Sequence, residues 1–309
     1  MKHLFIIDPF ESLKPNHDSS LALMKAALKK GHEVFCIQTF ELTWQVNSLR
    51  ANAQKIIVGE NNNLQASNQF ETLNLSQKQQ LIVWMRKDPP VNQDYIKACQ
   101  LLRLAKVPVL NNPNSLLSCE EKLFALEFPE LIPSTTITQS IRTIKELVKQ
   151  KGQLIAKPIG GKAGEGILLL KAEDKNLSSL LELLTAGESK KIIVQEFLPE
   201  AIIGDKRIFL CAGEPIGALL RVPKADDNRA NMAAGGSVAK TTITSKELEI
   251  CKSIKPRLLE LGLYIVGIDV IGEKLTEINI TSPTCLEEIG QLEDTNPAGE
   301  IIDWSISLF

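Results

Sequence analysis

Residues 266–285 read VGIDVIGEKLTEINITSPTC, and this stretch decides how the chain is read. Two runs of alternating residues, 265–271 and 275–281, flank a polar break at Gly272-Glu273-Lys274, the pattern of a β-hairpin. Successive strand side chains point to opposite faces. Val266, Ile268, Val270, Ile278 and Ile280 therefore share an apolar face, and Asp269, Glu277, Asn279 and Thr281 share the other. With the turn centred on Glu273, Asp269 lies directly opposite Glu277 and Gly267 opposite Asn279. Opposed Cβ atoms in a ladder are about 5 Å apart, where like charges are unfavourable. A divalent cation removes that penalty. Two carboxylates and an amide, with room for phosphate and water, suit Mg²⁺ better than zinc. The competing reading is a solvated polar face on an edge hairpin.

Working outward, the segment 157–166 reads KPIGGKAGEG. It matches neither the P-loop nor the dinucleotide fingerprint, and it joins two strands where those motifs join a strand to a helix. Such a hairpin can lay bare backbone N–H groups against phosphate, with Lys157 and Lys162 as point charges; a surface hairpin explains it about as well. Arg207 and Arg221 fall on strands over 205–211 and 217–222, and Arg229 in a loop beyond. The loop 223–237 has almost no apolar bulk, and loops of that length in compact domains are functional or disordered. The stretches 160–166 and 223–237 are therefore expected to be mobile lids in the nucleotide-free protein. Solvated arginines and a floppy loop are the plain alternative.

The first 120 residues alternate strand and helix: strands near 4–7, 34–37, 81–85 and 107–110, and helices over 18–30 and 92–106, which argues for a parallel sheet. Residues 60–76 are Asn/Gln-rich and read as a surface excursion. A helix over 115–128 leads out of this domain. From there a small α+β unit follows, with helices at 141–151 and 177–185 and strands at 154–157, 167–171 and 192–196. Antiparallel strands and a helix over 246–261 come next.

Composition limits the function. A chain of 309 residues is long enough for two domains. A net charge of −2 gives no electrostatic reason to expect nucleic-acid binding or a membrane surface, and the longest apolar runs are too short to span a bilayer. The start MKHLFIIDPF reads as a first strand and not as a signal peptide. Six cysteines without a CxxC pair fit buried thiols in a reducing cytosol, so a cytoplasmic protein is expected. All three histidines lie within the first 32 residues, which excludes imidazole chemistry in the C-terminal half. No Ser/His/Asp or Cys/His arrangement can be built near the hairpin. What remains is a metal-carboxylate face with lysines and guanidiniums, the inventory of phosphoryl transfer to an anionic substrate.

The strings MRKDPP (85–90), NSLLSCEEKLFA (114–125), GDKRIFL (204–210), NRANMAAGG (228–236) and VGIDVIGEKLTEINITSPT (266–284) carry a resemblance over nearly the full length. The chain resembles the prokaryotic glutathione synthetases of the ATP-grasp family. The resemblance implies an α/β chain. A parallel-sheet, Rossmann-like pre-ATP-grasp domain (1–120) binds substrate, and an ATP-grasp domain (121–309) carries a small α+β lid over about 134–198. It implies that Lys122, Lys157 and the Gly164 loop bind nucleotide phosphates, that Gln195-Glu196-Phe197-Leu198 holds the adenine edge, and that Asp205 lies beside the ATP. Asp269, Glu277 and Asn279 hold Mg²⁺, for which Mn²⁺ would substitute. The family often has Asp where Gly160 stands, and glycines where Ala163 and Glu165 stand, so this chain departs from the family pattern in the loop and keeps it at Lys157.

The reaction implied joins γ-glutamylcysteine to glycine with ATP through an acyl phosphate, Arg207 stabilising developing charge. Asp18, Ser19, Ser20 and Arg86 would hold the glutamyl end, where an open α/β sheet binds ligands. Arg221, Arg229, Asn231, Ser282 and Thr284 would line the acceptor side. Asp18 has a competing role as a helix cap, and Cys285 reads as a buried structural thiol. A homo-oligomer is expected. Two rivals stand: another ATP-grasp ligase, which would share the metal face and lysines but not MRKDPP or NRANMAAGG, and an ATP-binding regulator that has lost a metal ligand.

Overall fold

The computed structural model describes residues 1–60, 63–160, 165–223 and 236–309. The first sheet forms around β1 (Lys2–Ile6), whose LFII run is buried on both faces, as parallel strands require. In chain order follow α1 (Ser19–Lys29), β2 (Glu33–Ile37), β3 (Leu42–Gln45), β4 (Ser48–Val58), β5 (Leu64–Asn74), β6 (Leu81–Met85), α2 (Gln93–Leu102) and β7 (Val109–Leu110). The order is β3-β4-β2-β1-β6-β7, with β5 on β4. The strands β2, β1, β6 and β7 are parallel; β3, β4 and β5 are antiparallel.

Two readings need correction here. Residues 60–76 are not an excursion, because β5 pairs along most of β4. Most of its side chains are exposed or half-buried and Leu73 is buried at its end, so polar composition masks a strand with one wet face. The single helix over 115–128 is two pieces, α3 (Pro113–Ser118) and α4 (Glu121–Phe124). Glu120 interrupts it by folding its carboxylate onto the backbone N–H groups of Lys122 and Leu123, which starts a new helix in a new direction.

The second sheet, β10-β9-β11-β8, is built from β8 (Thr135–Thr138), β9 (Gln153–Pro158), β10 (Leu168–Lys171) and β11 (Ile192–Glu196). The helices α5 (Ile141–Lys151) and α6 (Leu177–Leu184) cover it through a core of Ile144, Val148, Leu154, Ala156, Leu170, Leu181, Ile192 and Val194. This core is separate from the two others, which span the first and third sheets.

The third sheet, β14-β13-β12-β15-β16, contains β12 (Asp205–Cys211), β13 (Glu214–Val222), β14 (Ser237–Lys240), β15 (Ile265–Ile271) and β16 (Lys274–Asn279), with α7 (Ser245–Glu260) against it. Two further helices, α8 (Leu286–Glu293) and α9 (Pro297–Ile306), pack on α1 and bring the chain's end back to the first sheet. Asn111 ties the first sheet to the third. Its amide donates to the carbonyls of Ile265 and Ile280 and accepts from the N–H groups of Tyr264 and Ile265, all within 2.7–2.9 Å.

Candidate active site

The hairpin of β15 and β16 has the register read from its sequence: Asp269 pairs with Glu277 and Gly267 with Asn279. The route to it differs. The turn is the two-residue Gly272-Glu273, both at positive φ, which on its own would set Asp269 opposite Thr276. A bulge at this point restores the pairing with Glu277, and Thr276 donates its hydroxyl to the Asp269 carbonyl at 3.1 Å. Val266, Ile268, Val270, Leu275, Ile278 and Ile280 all enter the core, leaving the carboxylates on the opposite face.

That face is densely compensated. Arg207 Nε donates to Asp269 Oδ1 at 2.6 Å and its Nη2 to Oδ2 at 3.1 Å, a two-pronged pair. Arg221 Nη2 reaches Asp269 Oδ2 at 2.8 Å and its Nε meets Asp205. The four side chains come together because β12 lies between β13 and β15, with Arg207 opposite Asp269 and Asp205 opposite Arg221. A side chain on Gly267 would obstruct this, since an added Cβ would stand 3.1 Å from Arg207 Cδ and from the Pro283 ring. Burial alone pushes the Asp269 carboxyl up, but the two guanidiniums hold it well below the ordinary carboxylate range. Burial raises Asp205 despite Arg221.

Glu277 meets Lys122 Nζ at 3.1 Å. Burial raises the Glu277 carboxyl and opposes the charge on Lys122, yet Glu277 still holds the ammonium above its usual pKa. Lys157 Nζ donates to Gln195 Oε1 at 2.8 Å, and burial pulls its pKa down. A cleft of about 740 Å³ opens beside these groups. Its lining includes Lys157, Glu196, Phe197, Leu198, Asp205 and Glu277. Segment 195–198 thus forms one wall and the metal face the other.

Three acidic or amide residues that the sequence reading did not single out hold this geometry. Glu120 accepts from Gly160 N at 3.0 Å and joins the Gly-rich hairpin to α4. Glu121 accepts from the N–H groups of Ile280 and Thr281 at 2.8 and 2.9 Å, fixing the chain just past Asn279. Asn111 is the third. The adjacent carboxylates in CEEK were the available signal, lost when that stretch was treated as one continuous helix.

The donors fit a nucleotide-borne Mg²⁺. Among the described residues no group of three or more His, Cys, Asp or Glu could hold a metal. The chain itself offers two carboxylates and the Asn279 amide, all hard oxygen donors, leaving the rest of an octahedral shell to phosphate and water. The Asn279 amide lies 3.3 Å from Asp269 Oδ2.

A second group of residues sits where β6 ends against the loop before α8. Arg86 is buried; its Nε donates to Ser20 Oγ at 3.2 Å and its Nη2 to the Pro283 carbonyl at 2.8 Å. Asp18 caps α1, one oxygen accepting from Ser20 N and Leu21 N. Ser19 Oγ accepts from Leu286 N at 3.1 Å, and Ser282 Oγ donates to the Arg86 carbonyl at 3.3 Å. The Thr284 carbonyl lies 3.4 Å from Arg207 Nη1, linking this junction to the metal face. Cys285, at φ +88° before α8, is buried, and burial raises its thiol pKa. Gly164, Arg229 and Asn231 fall outside the described residues, as do most of the two stretches expected to act as lids.

Residues 1–116 match the profile of the N-terminal domain of prokaryotic glutathione synthetase, and residues 121–294 that of its ATP-grasp domain. The chain belongs to the prokaryotic glutathione synthetase family. It is 46% identical over 315 residues to the glutathione synthetase of Gloeobacter violaceus, covering 99% of this chain and 97% of that one. With the glutathione synthetase of Synechocystis it shares 44% identity, at 98% coverage of both. The fold is shared more widely. A crystal structure of D-cycloserine synthetase DcsG superposes with a TM-score of 0.68 at 10% identity, covering 98% of this chain and 99% of that one. The family member described here is thus an ATP-grasp ligase with an α/β architecture, and no helix among its described residues is long and apolar enough to cross a membrane.

Proposed function

We propose that this chain makes glutathione by joining γ-glutamylcysteine to glycine, with ATP becoming ADP and phosphate. The observation that carries the reading is the pairing of Lys122 with Glu277, which lines a cleft walled by segment 195–198, on a chain whose full length matches glutathione synthetases. ATP would enter this cleft, its adenine edge along Gln195 to Leu198 and its phosphates toward Lys122, Lys157 and the Gly164 loop, with Asp205 alongside. Asp269, Glu277 and Asn279 would hold Mg²⁺ (or Mn²⁺), whose charge would neutralise the phosphate oxygens.

The cysteinyl carboxylate oxygen attacks the γ-phosphorus, the bond to ADP breaks, and an acyl phosphate forms. Glycine's amine then attacks the acyl carbon, phosphate leaves, and the amine gives up a proton. Arg207 would face the reacting end of this arrangement, where a fixed guanidinium stabilises developing oxyanion charge without reorganising. Its pairing with Asp269 supports that role by holding the fork rigid. Arg86, with Asp18, Ser19 and Ser20, would bind the glutamyl end. Arg221, Arg229, Asn231, Ser282 and Thr284 would border the glycine side.

Three coarser expectations stand on the same footing. The division at about residue 120, with a lid over 134–198, is supported by the separate core beneath the second sheet. A homo-oligomer is supported by exposed Phe40, Trp44, Val46 and Phe70 on the β3–β5 portion. A cytoplasmic setting is supported by six unpaired cysteines. An ADP-release assay over γ-glutamylcysteine with glycine, D-alanine pairs and free amino acids tests the function. Turnover confined to γ-glutamylcysteine with glycine is expected; turnover with D-alanine pairs alone would overturn the substrate assignment.

A further inference from the structure

Two buried polar atoms at the junction of the first sheet and α8 have no hydrogen-bond partner among the described residues: Arg86 Nη1 and Glu288 Oε2. They have opposite charge, and the same two segments hold them. Arg86 is fixed by Ser20 and by the Pro283 carbonyl. Glu288, in the first turn of α8, is 6% exposed and accepts from His17 Nδ1 at 2.9 Å through its other oxygen. The Ser19–Leu286 hydrogen bond locks the two segments together between them. A buried charge without its full set of partners costs stability. An orphaned cationic N–H and an orphaned carboxylate oxygen on one locked junction are complementary to a zwitterion. Asp18 is less available for that purpose, since one of its oxygens already serves two N–H groups at the start of α1.

We propose that Glu288 receives the α-ammonium of the dipeptide's glutamyl end while Arg86 Nη1 takes its α-carboxylate, so that Glu288 is a specificity-determining residue for an intact α-amino-acid head. This rests on the γ-glutamylcysteine reading above and adds to it the residue that recognises the amine. It also explains two serines placed back to back with almost no exposure: Ser19 and Ser20 anchor the two walls of the head-group site and hold them at fixed spacing.

The test compares γ-glutamylcysteine with glutarylcysteine, which lacks only the α-amino group, in the full chain and in Glu288→Gln. The native enzyme should prefer γ-glutamylcysteine in kcat/KM by roughly ten- to a hundredfold, the worth of one charge-assisted bond. In Glu288→Gln that preference should collapse toward unity through a raised KM for γ-glutamylcysteine, with the KM values for ATP and glycine unchanged. A native enzyme that uses both dipeptides equally, or a folded Glu288→Gln that keeps the native preference, would overturn the proposal. Circular dichroism and thermal unfolding of the variant establish that it is folded, and the native-enzyme comparison stands whether or not it is. Absence of any turnover of γ-glutamylcysteine by the native chain would instead overturn the underlying function.

Discussion

The hairpin face that bears Asp269 and Glu277 and the junction that holds Arg86 and Glu288 treat buried charge in opposite ways. On the hairpin, Asp269 is met by two guanidiniums and Glu277 by an ammonium, so these carboxylates find their counter-ions within the fold. At the junction Arg86 and Glu288 each keep one polar atom without a partner among the described residues. The difference separates two ways of preparing a site. On the proposed function, a polyanionic nucleotide with its cation would displace internal ion pairs one for one, phosphate taking Lys122 from Glu277 and the cation taking Glu277 from Lys122. A small zwitterion has too few contacts to drive such an exchange, and it binds where the fold leaves groups waiting. The first arrangement supports stability and the second reduces it.

The largest effect that could break this comparison comes from Asp269. Asp269→Ala would strand two buried guanidiniums, and removal of one partner from a buried ion pair costs about 3–5 kcal/mol. Urea unfolding should show a loss of that order together with loss of turnover; a neutral result would mean that the arginines are solvated and the hairpin face is not a compensated site. Glu277→Gln sharpens the same point. It keeps shape and fold, takes the carboxylate charge from beside Lys122 and removes a proposed metal ligand, so turnover should vanish with a melting temperature close to native.

Arg86→Ala addresses the other region. The KM for γ-glutamylcysteine should rise on the order of ten- to a hundredfold, from loss of about 1.5–3 kcal/mol of charge-assisted bonding, with glycine's KM nearly unchanged. Stability should fall less than in Asp269→Ala, because an already incomplete set of contacts is removed. Equal damage to both substrates would indicate a collapsed junction.

A buried pair away from both sites gives a control. Trp84 Nε1–H donates to His3 Nδ1 at 3.0 Å, so His3 Nε2–H faces His32 Nδ1 at 2.8 Å and both rings are neutral. Burial, then His32, lowers the His3 pKa from 6.5 to about 3. The folded state thus binds fewer protons than the unfolded state between these values. Stability from His3 is fully present above pH 6.5 and declines as pH falls toward 3, by about 1.4 kcal/mol per unit at most. Denaturant unfolding at pH 7.5, 6 and 5 checks the sign, and replacement of His3 should flatten the slope. The smallest effect belongs to Glu120→Gln. It weakens the tie to Gly160, and a loss of about 0.5–1.5 kcal/mol should raise the KM for ATP only severalfold.

How far the sequence could be read follows the same physics. The hairpin and the parallel strands were legible because a buried face forces a period of two or a continuous apolar run, as in residues 4–7 and 81–85. The cleft residues 195–198 and the lysines came with the family resemblance. The strand β5 was not legible, because half-exposed Asn and Gln carry no period. The bulge opposite Asp269 could not be foreseen from alternation; the assumed turn centre happened to give the same pairing. Glu120, Glu121, Asn111 and Glu288 were missed because a side chain that holds backbone from a distant element leaves no trace in local spacing.

The most direct measurement of the contrast is a crystal structure with a non-hydrolysable ATP analogue, Mg²⁺ and γ-glutamylcysteine. Lys122 Nζ, 3.1 Å from Glu277 in the structure described here, should have moved onto phosphate, with Glu277 and Asp269 sharing the metal. The Arg86 contact to the Pro283 carbonyl, 2.8 Å here, should be kept, with Nη1 on the dipeptide's carboxylate. A nucleotide bound with the Lys122–Glu277 pair intact, or Arg86 pulled away from Pro283 to reach the substrate, would contradict the division between an exchanged site and a waiting one.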